Sequence, residues 1–101
     1  MMKHFLVEIT YNVSVAELGE AVAEHRAFLQ IGYERGWFLF SGPQNPRLGG
    51  IVIARAPTFE DLQRLFAMDV YTRRNLAQYR FLEFEPVQWQ PFLREWAEGK
   101  Q

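Results

Sequence analysis

The sequence contains no cysteine, which excludes disulfides, thiolate metal sites and cysteine nucleophiles before any motif is considered. It also lacks a long apolar run. The opening stretch, MMKHFLVEITYN, turns polar too soon for a spanning helix or a secretory signal, so no membrane partner and a cytoplasmic location are expected. Basic runs are missing as well. With a net charge of −1 and Lys and Arg scattered along the chain, there is no line of cations to neutralise phosphates, and no nucleic-acid partner is expected. There are two histidines, and neither sits among further His or carboxylate residues at metal-ligand spacing. The expectation is therefore no metal and no cofactor.

What is present is apolar and aromatic. The 101 residues fit one domain, 1–101, and hydrophobic residues make up 49%, with nine Phe, four Tyr and three Trp. That is more bulky surface than so small a monomer hides, so a homodimer or higher homo-oligomer is expected.

Strands and helices follow from periodicity. His4 to Tyr11 alternates, with Phe5, Val7, Ile9 and Tyr11 on one face, and predicts a strand. Ser14-Val-Ala-Glu17 is a capping box that opens a helix. Along that helix Leu18, Ala21, Val22, His25, Phe28, Leu29 and Gly32 form one apolar stripe, and Gly36 ends it. Trp37 to Phe40 is apolar on both faces, so a strand there needs cover on both sides. Turn residues from Ser41 lead to a strand over Gly50 to Ala56. Thr58 caps a second helix whose buried face is Phe59, Leu62, Leu65 and Phe66, with Asp69 continuing that stripe. Tyr71 to Leu76 reads as a connector and Tyr79 to Trp89 as a last strand, with Pro86 marking an edge or bulge. Pro91 to Glu98 adds a terminal helical turn or two. The order βαββαβ predicts an α+β, ferredoxin-like protomer: a four-stranded antiparallel sheet with two helices on one face.

Each helix carries one ionisable residue on its apolar stripe, His25 and Asp69. Buried alone, either is costly; hydrogen-bonded to each other across the same sheet face, both are satisfied. The carboxylate would also fix the imidazole tautomer and leave the second ring nitrogen free to move a proton. Two readings stand at this point. One is a general acid/base dyad. The other is a buried structural bond in a metabolite-binding or dimerisation module. Ser41 and Gly42 can present a hydroxyl and backbone N–H groups to a ligand oxygen, although a strand exit calls for the same residue types. Tyr11, Tyr71 and Arg73 are further candidates for lining a cavity, whereas His4 lies too near the terminus to weigh.

His25 on its apolar helix, Gly36, Phe40-Ser41-Gly42-Pro43, Gly49-Gly50, Asp69-Val70-Tyr71, Leu76 and the Tyr79 to Phe84 strand together resemble the YciI-like (YCII-related) family over roughly residues 3 to 89. The resemblance implies a protomer that pairs its sheet with a second copy as a dimeric α/β barrel. It implies that His25 and Asp69 are the active-site pair, with Ser41 at the site. The wider superfamily includes muconolactone isomerases and small monooxygenases that work without metals. The chain departs from the family pattern at Val70, where a proline is usual, and at Arg74-Asn75, where a small Ala-Gly pair is common; larger side chains there would narrow or recharge a pocket mouth. The expected function is a small enzyme of isomerase, lyase or hydrolase type. In it His25 and Asp69 would transfer a proton on a small, largely apolar organic ligand held by Ser41, Gly42 and Tyr71.

Overall fold

The computed structural model describes residues 1–100. Strand β1 (Lys3–Tyr11) is followed by a one-turn helix α1 (Val15–Leu18) and the long helix α2 (Ala21–Glu34). Strands β2 (Phe38–Pro43) and β3 (Gly49–Ala56) form a hairpin. Helix α3 (Phe59–Phe66), one-turn helix α4 (Val70–Arg73) and strand β4 (Ala77–Phe84) complete the domain. A 3-10 turn over Pro91–Leu93 then runs into the short helix α5 (Arg94–Ala97). The sheet order is β2-β3-β1-β4, with every pairing antiparallel. This is the expected ferredoxin-like α+β arrangement.

Register decides which side chains meet. Phe5 lies opposite Ala54 and Val7 opposite Val52 and Phe81, all on the face covered by the helices. Phe28 and Leu29 of α2 and Leu62, Leu65 and Phe66 of α3 bury against that face in one apolar cluster. The opposite face carries Leu6, Ile51, Ile53, Phe40 and Leu82. It remains partly open, and Phe40 is 62% exposed.

Local chemistry sets several boundaries differently from the periodicity. The Ser14 capping box forms, but it caps α1 alone. The chain breaks at Gly19, where φ is +53°, a region open to glycine because it has no Cβ, and α2 begins afresh at Ala21. The far end of α2 closes as anticipated at Gly36. Its N–H reaches the Tyr33 carbonyl and the Trp37 N–H reaches Gly32, both at 2.9 Å, the double closure of a Schellman motif. Strand β2 begins at Phe38 rather than Trp37 and continues through Ser41 to Pro43, so the Ser-Gly-Pro segment is strand and not turn. Strand β4 ends at Phe84, before Pro86, instead of running to Trp89. His4 is not peripheral. It is buried, and its Nε2 sits 3.2 Å from the Trp96 carbonyl, where the terminal helix folds over the end of the sheet.

Gly32 marks the closest approach of α2 to the sheet, because a Cβ there would fall inside the Phe38 ring. That ring is held by Phe66 at 5.4 Å and Tyr33 at 5.7 Å between centroids and has nowhere to go. Gly32→Ala is therefore expected to lower stability by about 1–3 kcal/mol, overpacking outweighing the gain in helix propensity. Urea unfolding checks this; an unchanged midpoint would show that the helix can lift off Phe38.

Candidate active site

The two residues that periodicity placed on facing stripes meet, but by a different route from the one anticipated. Helix α3 ends before Ala67, so Asp69 is not a continuation of its stripe. The chain turns out of α3, and Asp69 adopts extended backbone as the N-cap of α4, its Oδ1 accepting the Tyr71 N–H at 3.3 Å. Short polar side chains are favoured at this position because they satisfy a backbone donor that the first turn leaves free. Capping turns the second oxygen, Oδ2, toward α2, where it lies 2.8 Å from Nδ1 of His25.

Asp69 is fully buried, and a buried carboxylate needs several donors. It has a third. The Tyr79 hydroxyl on β4 donates a hydrogen bond to the same Oδ2. Burial first, and then the Asp69 charge, push the Tyr79 hydroxyl pKa well up, so the phenol stays a donor at any ordinary pH. Nothing in the alternation of β4 distinguished Tyr79 from a packing aromatic. Its role becomes visible only when the β1–β4 register sets it opposite Ile9, on the helix-covered face.

His25 is fixed on a second side by Tyr71, whose ring stacks on the imidazole at 4.1 Å between centroids and 8° between planes. With Nδ1–H donated to Asp69, the neutral ring carries its lone pair on Nε2. No described residue hydrogen-bonds that nitrogen, and His25 lines a cavity of about 380 Å³. Helix α2 supplies Val22, His25, Arg26, Leu29, Gln30 and Tyr33 to its wall. The sheet supplies Ile9, Tyr11, Ile51 and Val52, and the β2–β3 hairpin Ser41, Gly42, Pro43 and Arg47, with Tyr71 closing the inner end.

The residues singled out from sequence are thus gathered at one place: His25, Ser41, Gly42 and Tyr71 on the cavity wall and Asp69 directly behind His25. The Ser41 hydroxyl is hydrogen-bonded to that of Tyr33 at 2.7 Å. Tyr11 lines the cavity, but Arg73 does not; it turns outward to Glu24 and to the Met68 carbonyl. Arg74 and Asn75 lie exposed in the turn after α4 rather than at the cavity mouth. Arg47, Tyr33 and Tyr79 were not found from sequence. Arg47 lies in a loop without periodicity, and the two tyrosines look like ordinary packing residues. Among the described residues no group of three or more His, Cys, Asp or Glu is placed to hold a metal ion. No helix among them is long and apolar enough to cross a membrane.

Residues 2–85 match the family model of the YCII-related domain. No functionally curated protein matches the chain. Among solved structures, 5-chloro-2-hydroxyhydroquinone dehydrochlorinase (TftG) from Burkholderia phenoliruptrix AC1100, in complex with 2,5-dihydroxybenzoquinone, is similar over 86% of this chain and 93% of its own, with TM-score 0.63 and 16% identity. SnoaB, a cofactor-independent oxygenase from Streptomyces nogalater, is similar over 89% of this chain and 97% of its own, with TM-score 0.53 and 17% identity. At these identities the likeness is one of fold.

Proposed function

The chain belongs to the YCII-related domain family, and from that premise we propose that it is a small-molecule enzyme in which His25 carries out general acid/base proton transfer. One observation carries the proposal. The imidazole has one nitrogen committed to a buried carboxylate and the other left without a protein partner on a cavity wall. In this reading the Nε2 lone pair takes a proton from a carbon or oxygen next to a carbonyl or ring oxygen of the ligand. The imidazolium that forms keeps its Nδ1–H on Asp69, whose negative charge stabilises it. Returning the proton to another position completes an isomerisation; departure of a leaving anion instead completes an elimination. Asp69 is a positioning residue, and Ser41, Gly42 and Tyr71 hold the ligand. That a structural neighbour is a dehydrochlorinase acting on a hydroxylated ring, and another an oxygenase without a cofactor, supports a reaction of this kind on a small ring compound. The open sheet face, with Phe40, Leu82 and Phe84 exposed, supports pairing with a second copy.

The test is a panel of hydroxylated and chlorinated hydroquinones and enolisable lactones, followed by absorbance and by deuterium uptake from solvent. Turnover of at least one is expected, and His25→Ala should lower kcat by about 10³-fold or more while the variant stays folded. A variant that turns over at the wild-type rate would end the proposal. Ligands that bind without turnover would leave the module reading, with His25 and Asp69 as a structural bond.

A further inference from the structure

We infer that the ligand of this cavity is a small organic anion, with an ionised oxygen of phenolate, enolate or carboxylate type on a planar group, seated between Arg26 and Arg47 with that oxygen at the Tyr71 hydroxyl. The inference deepens the proton-transfer reading, on which it rests only for calling the ligand a substrate.

The charge on the cavity wall is all of one sign. Arg26 and Arg47 face it, and no Asp or Glu does. Asp69 sits behind His25 and is already bonded to His25, Tyr79 and the Tyr71 N–H. Neither Arg26 nor Arg47 pairs with a carboxylate among the described residues, unlike Arg64, Arg73 and Arg80; other arginines are unpaired too, and what sets these two apart is their shared place on the cavity wall. Arg47 also touches the cavity wall through a long contact, its Nε lying 3.5 Å from the Tyr11 hydroxyl, and its other guanidinium N–H groups have no partner among the described residues, leaving them available to an oxyanion.

Tyr71 supplies the inner contact. The residue is 1% exposed, yet its hydroxyl makes no hydrogen bond to any described residue, and it lies on the cavity wall. Burial, then Tyr11 and Asp69, push its pKa up to about 12, while Arg47 and Arg26 pull the other way. The hydroxyl therefore remains a proton donor, and both guanidinium charges act at its position. That hydroxyl is free to donate to a ligand, and an anionic oxygen would accept from it and from the two arginines together. The apolar remainder of the wall, Val22, Leu29 and Val52 among them, suits the carbon skeleton of such a ligand. The largely apolar ligand expected from sequence thus gains a charged end.

Calorimetry and absorbance with defined probes decide the matter: benzoate against its neutral isostere benzamide, and 4-nitrophenol, whose ionised form is coloured, against 4-nitroanisole. The anions should bind about tenfold or more tightly than their neutral partners, and bound 4-nitrophenol should ionise at a lower pH than the free dye. Arg47→Gln should remove most of this preference, and Arg26→Gln with Arg47→Gln the rest. His25→Ala should keep it, because the preference is an equilibrium property of the arginines and needs no proton transfer. Stronger binding of 4-nitrophenol would assign a phenolate or enolate ligand, and stronger binding of benzoate a carboxylate. Equal affinity for charged and neutral probes, dye bound as the colourless phenol, or no binding of either anion would overturn the inference. None of those results would touch the dependence of turnover on His25.

Discussion

Replacing Asp69 with asparagine is expected to leave the fold in place and invert the tautomer of His25. The reason lies in the three donors that the carboxylate serves. The Tyr71 backbone N–H at 3.3 Å cannot become an acceptor, so the amide oxygen must take the Oδ1 position. The amide NH₂ then falls at Oδ2, where His25 Nδ1 and the Tyr79 hydroxyl now donate. A hydroxyl can turn and accept, and a neutral imidazole can move its proton to Nε2, so both adapt. The cost in stability should be about 1–3 kcal/mol. The cost to proton transfer should be far larger, because the nitrogen facing the cavity would carry a hydrogen where the reaction needs a lone pair. Where the same exchange is made behind a catalytic histidine in serine proteases, the rate falls by about 10⁴. Long-range proton–nitrogen NMR of the imidazole reads the outcome without any substrate: Nδ1–H in the wild type, Nε2–H in Asp69→Asn. A variant that retains Nδ1–H would show that Asp69 does not set the tautomer.

How much of this was legible in the sequence depended on whether the signal was local. Gly36 closing α2 and Thr58 opening α3 are decisions made within one turn of helix, and both are found where the residues indicate. The apolar stripes likewise specify which faces bury, and with the βαββαβ order they fix the sheet. The Gly19 break was not legible, because a capping box states where a helix starts and nothing about its length. Asp69 is the instructive case. Its i+3 and i+4 spacing from Phe66 and Leu65 indicated one continuous helix face. The residue was buried and near His25 for another reason: a short polar side chain capping a new turn is aimed by that cap. The site was legible as a pair of residues but not as a network. Tyr79 joins it through strand register, and Arg47 through the path of the Gln44–Leu48 loop, neither of which leaves a periodic trace.

The largest loss of stability is expected from Asp69→Leu, and the way it is repaired should show that His25, Asp69 and Tyr79 form one unit. Leucine repeats the branched four-atom skeleton of aspartate, with more bulk, but accepts nothing. The imidazole, the Tyr79 hydroxyl and the Tyr71 N–H all lose their acceptor at a fully buried position. Breaking a buried charged network from one side in this way typically costs about 3–5 kcal/mol. Adding His25→Leu removes one stranded group, yet the phenol of Tyr79 remains, so the double variant should still lie about 1–3 kcal/mol below wild type. Adding Tyr79→Phe removes the last stranded side chain, and the triple variant should regain most of that deficit, because matched apolar replacement of a buried polar cluster is often near neutral. Urea unfolding of the single, double and triple variants measures the coupling directly, and strict additivity of the three substitutions would refute the unit. If the apolar triple variant is as stable as the wild type and its turnover is gone, the fold does not need the network for stability. The structural-bond reading would then lose its ground, and the proton on His25 would be the reason for a carboxylate in this core.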